Sequence, residues 1–132
     1  MDIPDDLLYT ASHEWLRMEG DNAIAGICDH AQADLGGIVF AGLPKIGAQV
    51  AANQVVMTLK SANGAVDVHS PISGTIIEVN GALEKDPSLV NTDPYGKGWL
   101  YSIRIEAGEE IEQLMDSVVY KARFFGGDSP EV

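Results

Sequence analysis

The dipeptide Asn63-Gly64 sits between two alternating runs, Met57 to Ser61 before it and Ala65 to His69 after it. Asn-Gly between such runs is the strongest short signal for a β-hairpin, because a two-residue type I′ turn needs positive φ at both central positions. A loop of those two residues dictates the pairing. Ala62 faces Ala65, Ser61 faces Val66, Lys60 faces Asp67, Leu59 faces Val68 and Thr58 faces His69. Met57, Leu59, Ser61, Val66 and Val68 then share a mostly apolar face, and Thr58, Lys60, Ala62, Ala65, Asp67 and His69 a polar one, as a half-buried hairpin requires. Lys60 and Asp67 are expected to meet as an opposite-charge cross-strand pair, worth a few tenths to about 1 kcal/mol.

Other strand-length apolar runs repeat along the chain: Ile24 to Cys28, Ile38 to Ala41, Gln54 to Leu59, Ala65 to Val68, Thr75 to Val79 and Trp99 to Ile105. Most are β-branched and stop at Gly, Pro, Asn or Asp, which predicts a mainly β barrel or sandwich. A short helix is expected over 29–35. Asp29 would be its N-cap, Gln32 its capping-box partner and Gly36 its stop. A C-terminal helix, or a helix pair broken at Asp116-Ser117, is expected over about 109–123. Ile111, Leu114, Met115, Val118, Val119 and Ala122 would form its buried face. No linker divides the chain, so residues 1–132 read as one domain with a core at about 8–125; residues 1–6 and 126–132 are expected to be flexible.

Charge narrows the function. With 8 Lys+Arg against 20 Asp+Glu the net charge is −12, which disfavours nucleic acid and anionic membranes and permits a basic protein partner. At 132 residues and 45% hydrophobic content the chain can bury a core without covalent staples. The single cysteine, Cys28, excludes an internal disulfide. No stretch of 18 apolar residues is present, and the start Met1-Asp2-Ile3-Pro4-Asp5-Asp6 has neither a basic signal region nor transit-type arginines. The expected location is the cytoplasm.

Catalytic constellations do not emerge. His13-Glu14 opens like a zinc HExxH motif, but Arg17 stands where the second histidine belongs. His13, His30 and His69 have no ligand spacing, so no metal is expected. Cys28 reads as a small buried residue, and Trp15, Tyr95 and Trp99 as core or loop anchors. Lys45, Lys85 and Lys97 fall in expected loops. The acidic run 109–116 reads as a solvated helix face.

Several uncommon stretches, in order, carry a family resemblance. They are Tyr9-Thr10-Ala11-Ser12-His13-Glu14-Trp15, Gly26-Ile27-Cys28-Asp29-His30-Ala31-Gln32, Leu35-Gly36-Gly37-Ile38-Val39-Phe40, Leu43-Pro44, Ser70-Pro71-Ile72-Ser73-Gly74, Val79-Asn80 and Asn91-Thr92-Asp93-Pro94-Tyr95-Gly96-Lys97-Gly98-Trp99-Leu100. Over about residues 8–125 the chain resembles the glycine cleavage system H-protein, of the lipoyl/biotinyl-carrier superfamily. The resemblance implies a flattened β-barrel-sandwich hybrid. It implies a carrier and not an enzyme: a lipoyl group on one lysine at a hairpin tip shuttles an aminomethyl group. The implied partners are a PLP-dependent glycine decarboxylase, a folate-dependent aminomethyltransferase and dihydrolipoyl dehydrogenase.

The chain departs from that family at one position. The family's attachment segment reads Glu-Ser-Val-Lys-Ala, with the lysine eight residues before the Pro of Ser-Pro. Counting back eight from Pro71 reaches Asn63, and counting forward sixteen from Gly47 reaches Asn63 as well. The family's Glu falls on Lys60 and its Ser on Ser61. A carboxamide nitrogen is not nucleophilic and cannot take up an acyl group as an amine does. No cofactor is therefore expected, and the expected role is a non-catalytic docking or regulatory module for glycine-cleavage or other lipoate-handling enzymes. The alternative is a lipoyl carrier modified at Lys60, about 10 Å along the strand from the tip.

Overall fold

Alternation of small and branched apolar residues builds the strands, as in Ala23, Ala25 and Ile27, which are all buried on one strand. The computed structural model describes residues 1–126. It contains nine strands: β1 (Leu8–Tyr9), β2 (Glu14–Glu19), β3 (Asn22–Ile27), β4 (Ile38–Gly42), β5 (Gln49–Val50), β6 (Val55–Ser61), β7 (Gly64–His69), β8 (Gly74–Val79) and β9 (Tyr101–Ile105). Three helices accompany them: α1 (Asp29–Leu35), α2 (Leu89–Thr92) and α3 (Ser117–Phe124). All six strand-length runs of the sequence are strands here. β1, β2 and β5 are additional, because two are only two residues long and β2, Glu-Trp-Leu-Arg-Met-Glu, lacks an alternating pattern.

Two antiparallel sheets result. One has the order β1-β2-β3-β9-β8-β5 and the other β4-β6-β7. This is the mainly β, flattened barrel-sandwich architecture expected above, in the form of two sheets that do not close into a barrel. Leu16, Ala25, Ile27, Ile38, Leu59, Val68, Ile76 and Ile103 meet between the sheets. Each Leu, Ile or Val among them, fully buried, stabilises the fold by about 1.5–3 kcal/mol. A second cluster of Leu7, Tyr9, Trp15, Cys28 and Tyr120 joins the two ends of the chain. There the Tyr9 and Tyr120 rings stack at 4.6 Å, and β1 exchanges hydrogen bonds with Met115 at 2.8 and 2.9 Å.

Two helix expectations need correction. Asp29 is not the N-cap of α1: Cys28 is, without a side-chain cap, and Asp29 accepts from Gln32 Nε2 (2.6 Å) and from the Asp2 amide (2.8 Å). The C-terminal segment is the paired form, a 3₁₀ stretch Gly108–Gln113 followed by α3. It has no single apolar face. Val118 is 69% exposed and Val119 50%, while Ser117 and Tyr120 are buried. The physical reason is the backbone pairing of Met115 with Tyr9, which interrupts the helix and resets the rotational phase of everything beyond it. The N-terminal residues expected to be flexible make hydrogen bonds: the Tyr9 hydroxyl donates to Pro4 O, the Tyr95 hydroxyl to Asp2 O, and Ser117 Oγ to Asp5 Oδ1. Residues 127–132, most of the expected C-terminal tail, lie outside the described residues.

Candidate functional site

Strands β6 and β7 form the hairpin, with Leu59, Met57 and Val68 buried against the core. Its register differs from the sequence expectation. Ser61 pairs with Gly64, Lys60 with Ala65, Leu59 with Val66, Thr58 with Asp67 and Met57 with Val68. The loop is therefore Ala62-Asn63, one residue earlier than Asn63-Gly64. Lys60 and Asp67 are not partners. Asp67 accepts from Thr58 Oγ1 at 3.2 Å, and Lys60 has no ion pair among the described residues.

Two physical facts explain the slip. Moving every partner by two residues leaves each side chain on its own face, so the apolar pattern cannot tell the two registers apart. The turn decides instead. Ser61 Oγ accepts the Asn63 amide proton at 3.1 Å, a hydroxyl-closed turn that starts at Ser61. Of the residues at this tip only Gly64 has positive φ, at +145°, so the type I′ geometry does not form.

The apex is braced by the end of α1. Ser61 Oγ donates to Leu35 O at 2.7 Å. Asn91 Nδ2 donates to Gly36 O and to Gln32 Oε1, both at 2.9 Å, while its Oδ1 accepts the Ile38 amide at 2.8 Å. Gly36 stands at φ +81°, and a Cβ there would lie 2.9 Å from Asn63 Nδ2. The exposed Asn63 carboxamide thus rests over a residue that only glycine can supply without strain. Lys60 is exposed on the side wall, with Nζ 5.3 Å from the centroid of the Phe40 ring, its neighbour across β4–β6. This is a cation–π contact of about 0.5–1 kcal/mol at an exposed position.

Beside β7 lies a cleft of about 260 Å³, lined by Ser12, His13, Glu14, His30, Asp34 and Asp67 among others. Glu14 is 3% exposed. Its Oε1 accepts from Thr10 Oγ1 (2.6 Å) and Ser12 Oγ (2.5 Å), and its Oε2 from the His69 amide (3.1 Å). Three donors hold this carboxylate in one orientation at the cleft wall. His13 Nδ1 meets the Tyr120 hydroxyl at 2.7 Å, and the His13 and His30 rings lie 4.7 Å apart. Burial, then the neighbouring His30, holds the His13 imidazole below its ordinary pKa of 6.5. The sequence shows Glu14 only beside His13 in an incomplete zinc motif, because one of its three donors, the His69 amide, comes from a distant segment. The stretch Thr10 to Glu14 was its one visible trace.

The remaining candidates sort plainly. Cys28 is buried, and burial pushes its thiol up to about 12, so it is a poor nucleophile. Trp15 is fully buried and donates from Nε1 to Pro94 O at 3.1 Å; Tyr95 and Trp99 pack against the cluster that contains it. Lys45, Lys85 and Lys97 sit outside strands and helices. No group of three or more His, Cys, Asp or Glu among the described residues could hold a metal ion, and no helix among them is long and apolar enough to cross a membrane.

Comparison with known proteins gives a consistent result. The sequence profile described as "Glycine cleavage H-protein" matches residues 7–124. The glycine cleavage system H protein of Acinetobacter baumannii (strain SDF) is 45% identical over 122 residues, covering 92% of this chain and 98% of the relative. That of Rubrobacter xylanophilus is 50% identical over 110 residues, covering 83% and 87%. The crystal structure of a glycine cleavage system H protein from Mycobacterium marinum superposes with a TM-score of 0.84 at 38% identity, covering 92% of this chain and 98% of that one.

Proposed function

This chain belongs to the glycine cleavage H-protein family, and from that premise we propose that it is a member without the lipoyl arm, a cytoplasmic, non-catalytic docking or regulatory module. The observation that carries this reading is the carboxamide of Asn63 at the hairpin apex, where the family resemblance calls for a lysine. A lipoyl group is attached through an amide to a primary amine. The lone pair of a carboxamide nitrogen is delocalised into its carbonyl, so Asn63 does not fit that group.

The recognition surface fits docking. The apex is braced to α1, the fold matches its relatives, and a net charge of −12 suits a basic partner surface. By family resemblance the candidate partners are glycine decarboxylase, the aminomethyltransferase, dihydrolipoyl dehydrogenase or another lipoate-handling enzyme. A chain that docks without an arm would occupy their carrier sites and slow turnover.

One observation favours a second reading, a lipoyl carrier modified on Lys60. The register brings Lys60 one rung nearer the apex than the sequence predicts, and it is exposed without an ion pair among the described residues. Intact mass of the protein after incubation with lipoate, ATP and a lipoate ligase separates the two. The docking reading expects no adduct on the natural chain and an adduct on Asn63→Lys. A stoichiometric adduct that Lys60→Arg abolishes would overturn it in favour of the second.

A further inference from the structure

The chain holds two Asn-Gly dipeptides, Asn63-Gly64 and Asn80-Gly81, in opposite surroundings. Asn80 is 6% exposed. Its Nδ2 donates to Lys97 O and Trp99 O, both at 2.8 Å, and its Oδ1 accepts the Ala82 amide at 3.2 Å. Gly81 opens a 3₁₀ turn, Gly81–Glu84. Asn63 is exposed at the hairpin apex, and only its backbone amide is hydrogen-bonded among the described residues; no such bond holds its side-chain carboxamide. Gly64 beyond it carries no Cβ to shield its backbone nitrogen, and a Cβ placed there would meet open space.

We infer that Asn63 is a self-modification site, at which the exposed apex converts its carboxamide to a carboxylate by reaction with the Gly64 backbone nitrogen and water. The Gly64 nitrogen attacks Asn63 Cγ and loses its proton to solvent. The new N–Cγ bond closes a five-membered succinimide as the Cγ–Nδ2 bond breaks. Nδ2 departs with a solvent proton as ammonia. Water then opens the ring at either carbonyl, leaving aspartate or, with the backbone rerouted through Cγ, isoaspartate. No electron transfer is involved. Nucleophile and electrophile belong to adjacent residues, so the step is intramolecular and needs only a local rotation with opening of the terminal Ser61–Gly64 rung, the last of the hairpin ladder.

Asn80 cannot make that rotation while folded, because two hydrogen bonds from its carboxamide must first break in a buried place. The same dipeptide is therefore reactive at the apex and protected in the core. The product makes the apex anionic and the chain one unit more negative than −12. The chemistry is independent of whether the chain docks on other enzymes.

The test ages the folded protein at mildly alkaline pH and follows both sites by peptide mass spectrometry, by methyl-acceptor labelling of isoaspartate and by ion exchange of the intact protein. Asn63 is expected to convert at least about tenfold faster than Asn80, a barrier difference of about 1.4 kcal/mol. In urea the two rates should converge, since the protection of Asn80 belongs to the fold. Asn63→Gln, whose longer side chain disfavours the five-membered ring, should remove the acidic species on ion exchange. Equal lifetimes for Asn63 and Asn80 in the folded protein would overturn the inference. So would a rate difference that survives denaturation.

Discussion

Gly26 shows how much of this fold depends on the absence of one methyl group. It pairs with Trp15 across β2–β3, and a Cβ on it would lie 2.6 Å from the Trp15 indole carbons Cε2 and Cζ2. Trp15 is fully buried and tied to Pro94 O, so it cannot swing aside. Gly26→Ala is expected to destabilise the protein by roughly 1–3 kcal/mol, the usual penalty for overpacking a filled core. Urea denaturation followed by tryptophan fluorescence measures this directly; a midpoint unchanged from the natural chain would refute it. Gly26 stands in one of the stretches that carry the family resemblance, yet nothing in its sequence neighbourhood says that an indole lies over it. The same holds for the two Asn-Gly sites, identical as dipeptides and distinguished only by what surrounds them.

Among the elements, the hairpin and α3 were both half legible. For the hairpin, alternation named the strands and their faces, but a two-residue slip preserves both, and the hydroxyl of Ser61 chose the register. For α3, Asp116 was visible as a possible break and acts as the cap: its carboxylate accepts the Val119 amide at 2.9 Å. Asp116→Ala is expected to cost about 1 kcal/mol, whereas Asp116→Asn, which keeps an acceptor, should cost little. Hydrogen exchange over Ser117–Phe124 is the sensitive readout, since α3 can loosen without global unfolding. Equal exchange in the Ala and Asn variants would show that the cap contributes nothing. The apolar spacing from Ile111 to Ala122 misled because a helical wheel assumes one unbroken helix, and the Met115 bridge to Tyr9 breaks it.

At the scale of the whole molecule, α3 closes over the start of the chain through Tyr120, and His13 stands at that junction facing His30 and Asp34 of α1, Tyr120 and Phe124 of α3, and Glu14 beside it. Its pKa is lowered in the fold, so between its ordinary 6.5 and the lowered native value the unfolded chain binds more protons. Stability must then fall as pH drops through that window, and the His13 contribution is fully present only above it. Thermal unfolding between about pH 7.5 and about pH 5.5, which brackets the ordinary imidazole value, should show a shallower loss in His13→Gln than in the natural chain. Identical slopes would remove His13 from this role. Asp29 acts in a separate, more acidic range, because the Asp2 amide lowers its carboxyl pKa and its contribution is lost only as pH falls through that lowered value. What the sequence by itself determined was the mainly β class, six of the strands, the family and the asparagine at the hairpin tip. These are local patterns and residue identities that survive without coordinates. What only the tertiary structure decided was the pairing register, the orientation of Glu14, the space demanded at Gly26 and the brace of Ser61 and Asn91 under the apex. The register turns on a side-chain hydrogen bond within the loop, and the others depend wholly or in part on atoms distant in the chain meeting at hydrogen-bond or van der Waals range; no periodicity along a single strand or helix encodes either.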